Sequence, residues 1–214
     1  MKFHFIASKS SDAKKAKKIL VSRYENVKAE KADFIIPVGG DGFLLKSLHN
    51  FCYLNKPFFG INCGSIGFLM NSIKYKNLES IIQLSKKTNF MPLEMKAINK
   101  NGKEYKSIAY NEVSLMRQTH LASKINIKIN KVQKMKELIC DGILVSTSAG
   151  STAYNLSAHG SILPLDSKLL AMTPISAFRP RRWRGALLLE SSSIEFNIYN
   201  YNERSVSVTA DNIE

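Results

Sequence analysis

Cysteine is scarce in this chain: three in 214 residues, Cys52, Cys63 and Cys140. The number is odd and the spacing is not that of metal ligands, which argues against a disulfide framework or a zinc module and for reduced thiols. Long hydrophobic runs are missing as well. No apolar stretch approaches the ~18 residues that a membrane helix needs. The first seven residues, MKFHFIA, read as a short strand, without the sustained apolar core and cleavage site of a secretory leader. A cytoplasmic protein without membrane contact is the expectation. Internal repeats and low-complexity linkers are absent too. Acidic residues are few, 17 against 31 Lys and Arg, for a net charge of +14.

That charge invites a nucleic-acid reading. The lysines, however, are spread along the chain, as at Lys14, Lys15, Lys17, Lys18, Lys124, Lys128 and Lys131; only Arg179, Arg181, Arg182 and Arg184 form a tight group. Solvated faces on a Lys- and Asn-rich chain account for most of the charge. A field that steers polyanionic nucleotides is the next reading. What is present in quantity is apolar material, 44% of residues, enough for one large core or two small ones.

Residues 1–94 read as alternating strands and helices. Residues 2–7 are strand-like, and 11–24 form a helix with a cap at Ser11 and a stripe of Ala16, Ile19 and Leu20. Residues 33–38 make a buried strand ending in Gly39-Gly40-Asp41-Gly42, and 43–49 a helix. Residues 57–62 make another strand, followed by a glycine-punctuated loop, and 77–87 an amphipathic helix. Such alternation predicts a mostly parallel, helix-covered sheet. From residue 95 to 214 the texture turns to β. Asn101-Gly102 marks a hairpin, 124–130 alternates strictly, and 142–146, 186–189, 193–198 and 205–209 add strand-like runs.

Four segments carry chemistry. In Gly39-Gly40-Asp41-Gly42 the glycines let backbone N–H groups approach a phosphate, but no Lys-Ser or Lys-Thr follows, so this is not a Walker loop. A carboxylate beside phosphates repels them unless it takes a proton or holds a metal. Asp41 is thus a general base, a metal ligand, or merely a helix cap. The second segment, Asn62 to Leu69, follows a buried strand, where open α/β sheets bind ligands; Phe68 there could cover a base or serve a core. The third is Asn111-Glu112 in an apolar stretch. Glu112 could accept hydrogen bonds from two ribose hydroxyls, and Asn111 offers both donor and acceptor. A surface dipeptide at a strand edge fits equally well. The fourth runs from Asp141-Gly142 through an apolar strand to Gly150-Ser151-Thr152-Ala153-Tyr154. It is either a polar helix N-terminus suited to an anion or an ordinary Ser-rich loop.

Taken together, these segments resemble the NAD kinase family, bacterial type, from about Phe34 to Asn212. Gly-Gly-Asp-Gly alone is shared with diacylglycerol, sphingosine and phosphofructokinases. Asn111-Glu112 combined with Gly150-Ser151-Thr152-Ala153-Tyr154 is far more specific. The resemblance implies an α/β Rossmann-like N-terminal domain (1–94), a β-rich C-terminal NAD-binding domain (95–214) and an active site in the cleft between them. It implies Asp41 as proton acceptor at the ribose 2′-hydroxyl, with Gly39, Gly40, Gly42, Lys46 and Phe68 in the nucleotide-binding set. Asn111 and Glu112 would bind the adenosine part, Asp141 the other ribose region, and Thr152, Ala153, Tyr154 and Ser157 the adenine side. Ser176 would reach a neighbouring subunit's site, and Asn212 closes the set. NAD and ATP as ligands, a divalent cation (Mg²⁺), no protein residue assigned as metal ligand, and a dimer or tetramer complete the implication. A lipid or sphingoid kinase of the same superfamily should lack the Asn-Glu pair, and a non-catalytic nucleotide- or nucleic-acid-binding protein has no use for Asp41.

The chain departs from the family pattern at four places. Phe43 stands where Thr is usual, and Cys140 where Gly is common. His159 occupies a Gly position, with a strain of about 1–2 kcal/mol if that position requires positive φ. The usual extension past Asn212, which returns to the first domain, is expected to be missing.

Overall fold

The computed structural model describes residues 1–64, 67–72, 77–89 and 91–213. The chain divides into two compact units, Met1–Lys87 and Thr88–Glu214. No helix among the described residues is long and apolar enough to cross a membrane.

The first unit is built on a three-stranded parallel sheet, β1 (Phe3–Ala7), β2 (Phe34–Gly39) and β3 (Ile61–Asn62), with β2 in the centre. β2 is buried along nearly its whole length, as a strand covered on both faces must be. Of the strand expected at 57–62, only the last two residues pair in a regular strand, and Phe58 adds an isolated bridge to Ile35.

Helix α1 (Ser11–Val21) is capped by Ser10, not Ser11: the Ser10 hydroxyl accepts the backbone N–H of Ala13. Its buried stripe is Ala13, Ala16 and Leu20, while Ile19 is 40% exposed. The two alanines let the helix approach Phe3, Phe5, Ile36 and Val38 closely. Helix α2 (Asp41–Phe51) packs on β2, and α3 (Leu78–Leu84) contributes Leu78 and Ile82 to the same core. The Leu78 N–H donates to the Tyr24 hydroxyl at 2.8 Å.

The second unit contains a hairpin, β4 (Leu93–Ile98) with β5 (Glu104–Ala109), whose turn places Gly102 at φ 77°. Its main sheet is antiparallel and five-stranded. It consists of β6 (Glu112–Arg117), β9 (Gly142–Ser146), β10 (Leu169–Ile175), β11 (Ala186–Leu189) and β13 (Val206–Ala210), in the order β11-β10-β9-β6-β13. A three-stranded sheet, β12 (Ile194–Ile198), β7 (Ser123–Ile129) and β8 (Val132–Cys140), supplies the other half of the core. Leu115, Ile143, Val145, Leu170 and Met172 from the first sheet meet Ile125, Ile127, Leu138 and Cys140 from the second. Each set alternates along its strands, so each sheet turns one face inward. Three strands, β6, β8 and β10, were not legible as such in the sequence. None of the three cysteines is in a disulfide, and burial pushes the Cys140 thiol up from its ordinary value.

Candidate active site

In the first unit, the chemistry gathers at the carboxyl end of β2. Gly39 ends the strand, Gly40 is the N-cap of α2, and Asp41 is its first residue. The Gly40 carbonyl accepts the N–H groups of Phe43 and Leu44, which starts the helix within one residue of the strand. A Cβ at Gly40 or Gly42 would meet nothing within 4 Å, so the backbone of the turn is open to an approaching ligand.

Asp41 does not point idly into solvent. Its Oδ2 accepts the Phe68 N–H at 2.7 Å and its Oδ1 the Leu69 N–H at 3.3 Å. A Cβ at Gly67 would stand 3.2 Å from Asp41 Oδ1 and 3.1 Å from Asn62 Nδ2, so the loop lies tight against the carboxylate. Phe68 is 59% exposed; its side chain is outside the core. Ser65 and Ile66 of this loop lie outside the described residues.

In the second unit, Asn111-Glu112 enters β6, an interior strand of the five-stranded sheet, and Glu112 is 9% exposed. The dipeptide is therefore not a surface feature. Its backbone is bonded on both sides. The Tyr110 carbonyl accepts the Thr147 hydroxyl at 2.6 Å, and the Asn111 carbonyl accepts the Thr147 N–H at 2.9 Å. On the other side the N–H groups of Tyr110, Asn111 and Glu112 all donate to the Asp211 carboxylate.

What remains unbonded is in the side chains: Asn111 Oδ1 and Glu112 Oε2 are buried without a hydrogen-bond partner. Buried polar atoms are normally satisfied, so two adjacent acceptors left open mark a place for a donor-bearing ligand. Burial first and the Asp211 charge second raise the Glu112 carboxyl to about 7, with the Tyr154 backbone N–H opposing both.

The turn above the pair is tightly fitted. A Cβ at Gly150 would stand 2.2 Å from the Asn111 carbonyl oxygen. The stretch Ala149–Thr152 is a 3-10 turn and α4 (Tyr154–Ser157) is a single helical turn, shorter than a helix N-terminal anion site requires. Beneath it, Asn155 is fully buried: its Nδ2 donates to the Ser151 and Ser161 carbonyls, and its Oδ1 accepts the Thr173 hydroxyl at 2.7 Å.

Comparison with known proteins matches both halves of the chain. The family model for the ATP-NAD kinase N-terminal domain matches residues 1–90, and that for the ATP-NAD kinase C-terminal domain residues 110–211. The NAD kinase of Caulobacter vibrioides is 48% identical over 210 residues, 98% of this chain and 81% of that one. The NAD kinase of Rickettsia canadensis is 52% identical over 188 residues, 88% and 74% of the two chains. This chain belongs to the NAD kinase family. Its fold is also that of a yeast NADH kinase solved with NADH (TM-score 0.76, 20% identity, 100% of this chain and 75% of that one). An Archaeoglobus fulgidus NAD kinase solved with ATP shares it as well (TM-score 0.75, 23% identity, 100% and 85%).

Among the residues expected from the sequence to bind nucleotide, the structure brings Asn111, Glu112 and the turn carrying Thr152, Ala153 and Tyr154 together. Tyr154 is partly exposed, its hydroxyl 3.5 Å from Met116 Sδ, and Ser157 is exposed at the end of α4. Asp141 and Ser176 stand at the other end of the same sheet. Asp141 precedes β9 while Thr147 follows it, about 20 Å apart at ~3.3 Å per residue. Asp141 Oδ1 accepts Arg117 Nε at 2.6 Å in the wall of an open depression of about 400 Å³ that His120 also lines. Ser176, just past β10, has φ 50°. Lys46 is exposed on α2, about 140° round the helix from Asp41, in a depression shared with Lys17 and Asn50. Asn212 is exposed, and it is its neighbour Asp211 that touches the Asn111-Glu112 segment. Sequence reasoning missed Asp211; its position beside the chain's last strand gave no local signal.

Proposed function

We propose that the chain phosphorylates the 2′-hydroxyl of the adenosine ribose of NAD, with ATP as donor, giving NADP and ADP. The observation that carries this reading is the pair of open, buried acceptors on Asn111 and Glu112. Ribose hydroxyls are donors that would satisfy Glu112 Oε2, and the adenine amino group or a hydroxyl would satisfy Asn111 Oδ1. Thr152, Ala153, Tyr154 and Ser157 line the adenine side in this reading. The buried polar pair disfavours a lipid or sphingoid acceptor, whose chain would leave both atoms unpaired at a cost of about 1–3 kcal/mol each.

Transfer is in line. The ribose 2′-oxygen attacks the γ-phosphorus, ADP leaves, and the hydroxyl proton passes to Asp41. Catalysis of this kind is mainly positioning and charge stabilisation. The open backbone at Gly40 and Gly42 receives the triphosphate, while Gly39, packed against Phe43, ends the strand that positions the turn. Among the described residues no three His, Cys, Asp or Glu side chains stand together as a metal cage. A divalent cation, Mg²⁺ in this reading, would enter with the donor and neutralise the charge of its phosphates.

Incubation with NAD, ATP and Mg²⁺, followed by an NADP-specific dehydrogenase assay, tests the reading. NADP formation that requires all three is expected. Phosphorylation of diacylglycerol or a sphingoid base with none of NAD would overturn it. We also propose a dimer or tetramer, because Asp141 and Ser176 lie at the end of the sheet remote from Glu112 and would serve a second copy's site. Sedimentation at micromolar concentration showing only the 24.0 kDa monomer would overturn that.

A further inference from the structure

The backbone that presents Asn111 and Glu112 is held on one side by a single carboxylate. Asp211 follows β13 in the left-handed region, φ 53°, and turns its side chain under the entry to β6. Its Oδ2 accepts the Tyr110 N–H at 2.8 Å; its Oδ1 accepts the Asn111 N–H at 2.8 Å and the Glu112 N–H at 3.2 Å. Three successive N–H groups converging on an anion form a nest. The Asp211 N–H donates in return to the Glu112 carbonyl at 2.9 Å, so the two residues clamp each other. Aspartate is one of the few residues that takes a left-handed backbone readily, which allows the clamp at this turn.

We propose that Asp211 is a positioning residue of the nucleotide site: it fixes where the Glu112 carboxylate stands, and its negative charge, held beside Glu112, makes NAD affinity depend on pH. This rests on Glu112 as a ribose-binding residue. The groups facing Glu112 are Asp211 from the turn after β13, Ser146 across from it on β9, and the Tyr154 backbone N–H from α4. None of these three is a cation. Burial and the Asp211 charge together hold Glu112 at about 7, half ionised near neutrality. Only the ionised form is a full acceptor for two ribose hydroxyls.

The test is calorimetric titration of NAD onto the full chain and its variants Asp211→Asn, Asp211→Glu and Glu112→Gln, between about pH 5 and 9. Wild-type affinity is expected to rise roughly tenfold through a midpoint near 7, the difference between a charged and a neutral acceptor. Asp211→Asn should move the midpoint down by about one pH unit, as removal of a like charge does. Asp211→Glu should restore the midpoint while weakening binding at every pH, because its longer side chain displaces the pair. Glu112→Gln should flatten the profile. A folded Asp211→Asn protein whose midpoint has not moved overturns the proposal. A carbon-13 titration of the Glu112 carboxyl in the wild-type chain needs neither variant nor ligand; titration near 4.5 would also overturn it. Failure of the wild-type chain to bind NAD at any pH sinks the functional reading, and the carbon-13 titration, repeated on Asp211→Asn, then still decides the coupling.

Discussion

Asp41 Oδ2 accepts the backbone N–H of Phe68 at 2.7 Å, so the residue that opens α2 also ties down the loop after β3. The second oxygen is engaged by Leu69 at a longer 3.3 Å. Each carboxylate oxygen has a further lone pair, so the carboxylate can hold the loop and still accept a proton from a substrate hydroxyl. Helix capping, which the sequence left open as its only role, does not describe it: the N-cap is Gly40, and no side-chain cap bond is made.

Asp41→Asn separates these two roles. The amide keeps one oxygen to accept a loop N–H and loses basicity. Turnover should fall by about 10²–10⁴, with NAD affinity within roughly tenfold of wild type. Single-turnover kinetics beside NAD titration measure both. A variant that keeps near wild-type kcat would leave Asp41 as a loop anchor without a catalytic part.

Much of the first unit was legible because its signals are local. A buried run ending in Gly39-Gly40 and a helix beginning at once read as strand, turn and helix from the residues alone. The β-rich unit was harder to read, for identifiable reasons. β8 slips register against β7 twice, between Ile125 and Ile127 and between Ile127 and Lys128, so its inward residues do not recur at every second position. Pro174 interrupts the reading of β10, although the strand lies between β9 and β11. Asn111-Glu112 looked like a surface dipeptide because its burial depends on the flanking strands β9 and β13, the latter about a hundred residues later in sequence. Its burial is tertiary information that no window around residue 112 contains.

Gly150 and Gly42 should respond oppositely to the same substitution. A Cβ at Gly150 runs into the Asn111 backbone carbonyl at 2.2 Å, which no side-chain rotation can relieve. Gly150→Ala should cost about 1–3 kcal/mol and displace Asn111, lowering Tm by ~2–4 °C for each kcal/mol and raising KM for NAD more than it lowers kcat. Gly42→Ala meets open space inside a helix and should raise stability by up to ~1 kcal/mol. If the glycine turn receives the triphosphate, it should nonetheless raise KM for ATP. Thermal melts and steady-state kinetics on both variants check the pair; a destabilised Gly42→Ala would contradict the open geometry.

His159 stands at φ 62°, the left-handed region, directly before Gly160, whose added Cβ would fall 2.0 Å from Asn155 Oδ1. The strain anticipated for His at a family glycine position therefore applies. His159→Gly relieves about 1–2 kcal/mol and loses part of that through a freer unfolded chain. A net gain of roughly 0.5–1 kcal/mol is expected, seen as a higher urea midpoint with an unchanged slope. A lower midpoint would mean that the His159 side chain makes a compensating contact.

Glu112 should make the wild-type chain lose stability as pH rises, against the usual direction for a carboxylate. Its carboxyl is raised to about 7 in the fold from 4.5, by burial first and the Asp211 charge second. Between these two values the folded state holds more protons than the unfolded state, so unfolding free energy falls as pH increases. Glu112's contribution is fully present below about 4.5 and is lost as pH passes through about 7. At about 1.4 kcal/mol per pH unit the loss is on the order of 3 kcal/mol, an upper figure for a group that retains some solvent contact. Other acids titrate in the same range, so the informative quantity is the difference from Glu112→Gln, which cannot ionise. Urea unfolding of both proteins from pH 5 to 8 should show the Gln variant gaining on wild type by roughly 2–3 kcal/mol toward the alkaline end. A difference that stays constant with pH would place the Glu112 carboxyl in the ordinary range. It would then reach the ribose fully ionised at neutral pH, and the buried acceptors of β6 would carry no pH dependence into nucleotide binding.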